Sequence, residues 1–115
     1  MKLLTVVFDG DNGVVVPDNR VASHVNKILD RFQLVDRLSC FVGNGELVNE
    51  FRVRVRRGEL KHEEIVFEFK GETIKVDERA NLDRWPKGMC DMVGKQLVEI
   101  MTRRKPNINE PSSTL

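Results

Sequence analysis

Two carboxylates, Asp9 and Asp11, leave an apolar run two residues apart and are the side chains best placed to do chemistry. At the end of a strand, that spacing lets both share one Mg²⁺ through hard oxygen ligands. The chemistry would then be phosphoester hydrolysis, and in a phosphatase the first aspartate is the nucleophile and the second the acid and base. The competing reading is a solvated turn. A second cluster, Arg52, Arg54, Arg56 and Arg57, crowds one predicted helix. Spaced i, i+2, i+4 and i+5, these side chains cannot all share a face, and Glu46, Glu50 and Glu59 are near enough to pair with some of them. The expectation is a solvated face, with a nucleic-acid patch as the alternative, and few aromatic residues intervene to stack bases.

Other candidates fall away on spacing. His24 and His62 have no metal-type relation to a cysteine or to each other. No Gly-x-x-x-x-Gly-Lys-Ser/Thr phosphate loop occurs, and Gly43-Asn44-Gly45 is too short to cradle a triphosphate. Cys40 sits in an apolar run and reads as a small buried hydrophobe.

The elements that must position the carboxylates follow from hydrophobic period. Leu3-Leu4-Thr5-Val6-Val7-Phe8 is nearly all apolar, the pattern of a strand buried on both faces. Pro17 and Asp18 open a helix, and Val21, Val25, Ile28, Leu29 and Phe32 form its apolar stripe. Residues 38–42 give a second strand, so strand, helix, strand makes a parallel βαβ unit. Gly43-Asn44-Gly45 should then break the chain at the same sheet edge as Asp9. A helix over residues 46–57 turns Leu47, Val48, Phe51 and Val55 inward and is capped by Gly58. From Glu63 the period becomes two, which predicts a hairpin over residues 65–76 turning at Gly71-Glu72. Residues 91–102 carry a last amphipathic helix with Val93, Leu97, Ile100 and Met101 on one face. The expected organisation is one α/β domain over residues 1–102 and a flexible tail over 103–115.

Bulk composition narrows the class without choosing a partner. With 40% hydrophobic and 32% charged residues, the chain suits a packed domain rather than disorder. Lys and Arg (19) nearly balance Asp and Glu (18), so net charge argues for neither nucleic acid nor membrane. No apolar run approaches the ~20 residues of a membrane span, and a cytoplasmic location is expected.

Residues 46–60, 64–69, 74–78 and 82–88, with Asp91, have a spacing that resembles the C-terminal half of ABC-type ATPase domains. These are relatives of the SMC and overcoming-lysogenisation-defect families. Most of the chain, from Leu3 to Met101, can be laid on that pattern. The resemblance implies a partial P-loop-NTPase-like fold in which Phe8-Asp9-Gly10-Asp11 occupies the Walker B stretch. Asp9 then matches the residue that helps hold the Mg²⁺ shell, Gly10 stands where the glutamate base would be, and Asn44 replaces the switch histidine. Without a phosphate loop, base or switch, ATP hydrolysis by this chain alone is not expected. The implied function is a catalytically degenerate, protein-binding module with no cofactor, acting as regulator, decoy or subunit of an ABC-type ATPase in phage defence or DNA repair. Its partner would be that ATPase or a second copy of itself. The alternative is a Mg²⁺-dependent phosphatase- or nuclease-like hydrolase using Asp9 and Asp11.

Overall fold

The apolar run forms β1 (Leu3–Phe8) and lies inside a four-stranded sheet of order β2-β1-β3-β4. The structure is a computed structural model and describes residues 1–84. The expected helix over 91–102 and the tail over 103–115 therefore lie outside the described residues. Strand β2 (Arg37–Val42) pairs parallel with β1, as the βαβ reading predicts, and β3 (Ile65–Phe69) pairs parallel on its other side. β4 (Glu72–Lys75) is antiparallel to β3. The result is an α/β domain with a mixed sheet.

Two helices connect the parallel strands. Helix α1 (Val21–Phe32) follows a short 3-10 turn at Asp18–Arg20, so its α-helical part starts three residues later than Pro17-Asp18 suggested. Helix α2 (Gly45–Arg56) ends as predicted at Gly58, whose φ of +82° only glycine adopts freely. There the Gly58 amide donates to the Val55 carbonyl and the Glu59 amide to that of Arg54, a Schellman ending.

The register shows where the core sits. Leu4, Val6, Val42, Ile65, Phe67 and Ile74 share one sheet face and are buried against Val21, Val25, Leu47, Val48 and Phe51 of the helices. Leu3, Val7, Phe41 and Val66 point to the other face and take no part in that core. The expectation that β1 is buried on both faces is therefore corrected: Leu4 and Val6 are sealed, while Leu3, Thr5 and Val7 are half-buried. An almost wholly apolar six-residue run cannot signal on which side the helices will pack.

Helix α2 is buried around nearly its whole circumference. Besides its apolar face it encloses Asn49, Glu50, Arg52 and Arg54. The Arg54 guanidinium donates to Glu50 Oε2 (2.8 Å), Asn26 Oδ1 (2.6 Å), Glu59 Oε1 (3.2 Å) and the Ala22 carbonyl (3.1 Å), fastening α2 to α1. Arg52 Nε donates to the Ala80 carbonyl at 2.8 Å and holds the loop after β4. These buried charges survive desolvation because both guanidinium groups are hydrogen-bonded to acceptors inside the fold.

The hairpin turns at Lys70-Gly71, one residue earlier than predicted, with φ of +48° and +84°. Two successive positive values match a type I′ turn, the form that follows strand twist in two-residue loops.

Candidate functional site

The parallel strands deliver their carboxyl ends to one edge, where α/β folds place ligands. Asp9 follows β1 directly, and its amide still donates to the Val42 carbonyl at 2.9 Å. Its Oδ1 accepts the amides of Asp11 (2.9 Å) and Asn12 (3.1 Å), so the carboxylate is the pivot of its own loop. The Asn12 amide, then that of Asp11, favour the charged form and hold this carboxyl below the ordinary 3.8. Asp11 is exposed beyond it. From Asp9 the chain crosses the end of β2, where Val14 bridges to Val42, and Val14 and Val15 are exposed.

The Gly43-Asn44-Gly45 stretch reaches the same edge, as its position in the βαβ unit predicts. Asn44 Nδ2 donates to the Val16 carbonyl at 3.2 Å and to Glu46 Oε1 at 3.1 Å. Asn44 thus ties the Asp9–Val16 loop to the start of α2.

A cleft of about 360 Å³ opens beside the carboxylates, lined by Val7, Asp9, Asp11, Glu68 and Lys70 among others. Glu68 and Lys70 are absent from the sequence-derived candidates. Glu68 stands directly across from Val7 because β3 pairs with β1, and Lys70 arrives on the hairpin turn. The alternation Val66-Phe67-Glu68 signalled only that Glu68 opposes the core face, and nothing local marked the neighbouring strand. Among the described residues no group of three His, Cys, Asp or Glu could hold a metal ion. Mg²⁺ does not require such a cage, since it commonly takes one or two carboxylates with water and substrate phosphate. Asp9 and Asp11 bring two carboxylates to this cleft.

The arginine cluster does not join this site. Arg52 and Arg54 are 3% and 5% exposed and bonded within the fold, which corrects their reading as a solvated face or a nucleic-acid patch. Only Arg57 of the four is exposed, and Arg56 is half-buried. Both lie where α2 ends and the chain turns back toward the start of β3, at the sheet edge opposite Asp9. There they border a hollow of about 330 Å³ with Lys61, His62, Glu63 and Glu78. Cys40 is half-buried on the helix-covered face, and burial pushes its thiol up to about 12.

Comparison with protein-family models, with curated proteins and with solved structures finds no match for this chain. Its chemistry has to be argued from the site. Among the described residues no helix is long and apolar enough to cross a membrane.

Proposed function

We propose that this protein is a Mg²⁺-dependent phosphoester hydrolase of phosphatase or nuclease type. One observation carries the reading: an ionised Asp9 at the carboxyl end of an internal parallel strand shares a cleft with Asp11, Glu68 and Lys70. Asp9 and Asp11 would hold the metal, which when bound supplies Lewis acidity and neutralises phosphoryl charge. Glu68 faces the same space and can accept a proton from the attacking water. Lys70 offers a cation to a substrate phosphate. The test is turnover of p-nitrophenyl phosphate and of bis-p-nitrophenyl phosphate, which separates monoesterase from diesterase. Turnover should need Mg²⁺ and vanish in Asp9→Asn, and no turnover with either ester sinks the reading.

A second reading, the degenerate ATPase-like interaction module, draws on a different observation. Val14 and Val15, 47% and 65% exposed, run along the outer end of edge strand β2, where a partner could add contacts. Its partner would be an ABC-type ATPase or a second copy of the chain. Light scattering together with a pull-down tests it, and a monomer at high concentration that captures no ATPase overturns it.

A further inference from the structure

Parallel sheets are usually covered by helices on both faces. Here α1 and α2 share one face, and among the described residues no helix packs on the other. The register lays out that second face in rows. Phe41, Val7, Glu68 and Thr73 form the row nearest the carboxylate edge. Ser39, Thr5, Val66 and Lys75 form the next, and Arg37 and Leu3 the last.

Three properties of those rows decide what would lie on them. Phe41 is 55% exposed, a large aromatic ring held on a rigid strand rather than a loop. Arg37 and Lys75 flank the face as exposed cations, against Glu68 as its one carboxylate. The row that carries Phe41 also carries Val7 and Glu68, which line the cleft of Asp9 and Asp11. Adjacent strands are ~4.8 Å apart and two residues of strand span ~6.6 Å, so Phe41 and Asp9 are separated by roughly 8 Å across the surface.

We infer that the face carrying Phe41 is a platform for a single-stranded polynucleotide, with one base stacked on Phe41 and a neighbouring phosphodiester carried into the cleft. An exposed ring can stack any unpaired base, and flanking cations hold the backbone. A duplex hides its bases and would gain nothing from the ring. This inference rests on the diesterase form of the proposed function for its purpose, but binding can be measured apart from hydrolysis.

The experiment is fluorescence anisotropy with labelled single-stranded RNA and DNA 12-mers and a duplex of the same sequence, in EDTA so that Mg²⁺-dependent cleavage is silent. Either single strand should bind more tightly than the duplex, and comparing the two shows which sugar is preferred. Phe41→Ala should weaken binding about tenfold or more, and Phe41→Trp should retain it. Arg37→Glu and Lys75→Glu should lower affinity and flatten its salt dependence. All three side chains changed are exposed, so the four variants keep the core intact. Absence of binding, preference for duplex, or an unchanged Phe41→Ala affinity overturns the inference. So does a Phe41→Ala variant that only converts a dimer to monomer, which would make the face a protein interface. Hydrolysis of the small diester without oligonucleotide binding removes the platform alone, and the reverse result removes the metal site alone.

Discussion

Gly13 and Gly43 cross with their backbones in contact. A Cβ built on Gly13 would lie 2.3 Å from the Val42 carbonyl carbon and oxygen, and one on Gly43 would lie 2.7 Å from the Gly13 carbonyl oxygen. This crossing lets the loop that carries Asp9 and Asp11 pass over the end of β2 and pair through Val14. Neither neighbour can yield, because the nearest clashing atom at each glycine is backbone.

Gly13→Ala should therefore destabilise the domain by about 3 kcal/mol or more and displace the carboxylate loop. Gly10→Ala is the matched control. Its Cβ meets nothing within 4 Å, and its φ is not among the positive values, so stability should change by about 1 kcal/mol or less. Urea unfolding of the two variants checks the contrast, and equal losses would contradict it.

Asp9 is held below its ordinary value, which sets a sign for pH. A carboxyl with a depressed folded pKa contributes its stability above the unfolded value and loses it as pH falls through the folded one. The loop should thus stay closed through neutral and mildly acid pH and open only below about pH 4. If hydrolysis occurs, its pH profile should show no ascending limb from Asp9 above about pH 5. Titration of the Asp9 side-chain carboxyl carbon near neutral pH, followed by NMR, would show that this carboxyl is not held ionised.

Arg54 joins α1, α2 and the turn after α2 through one guanidinium, with its side chain 6% exposed and that of its partner Glu50 11%. Arg54→Ala should cost about 3–5 kcal/mol, because it breaks a buried ion pair and removes the donor that Asn26 Oδ1 and the Ala22 carbonyl share. Lysine should not rescue it, since one ammonium cannot reproduce the planar fork. Thermal or urea unfolding decides this. A loss within experimental error would mean the network carries no net stability.

Cys40 gives a prediction at alkaline pH. Burial raises its thiol from 9.0 to about 12, so the folded chain keeps this proton where the unfolded chain releases it. Stability attributable to this group falls as pH rises above 9.0, by up to about 1.4 kcal/mol per unit while only the unfolded form is ionised. Cys40→Ala should flatten that part of the stability profile. Alkylation by iodoacetamide at pH 8 should be slow in the native protein and fast in denaturant.

What could be read from the sequence was whatever depends on near neighbours. The stripe Val21, Val25, Ile28, Leu29 and Phe32 gave α1, and Gly58 marked the end of α2. Asp9 was legible as a strand-end carboxylate for the same reason. Features made by distant strands and helices were not legible. Arg52 and Arg54 looked solvated because their acceptors, the Ala80 carbonyl and Asn26, lie 28 residues away. Glu68 and Lys70 join the cleft only because β3 lies beside β1. The one-sided core needed both helices to be placed before it could be seen.

Lys70 occupies a left-handed backbone position that glycine or asparagine would take with less strain. Lys70→Asn should therefore make the hairpin firmer, yet it would erase the single cation that the turn contributes to the mouth of the cleft. Tightening this corner and keeping its charge are competing demands on one residue. A sequence chosen for durability alone would have put another amino acid there.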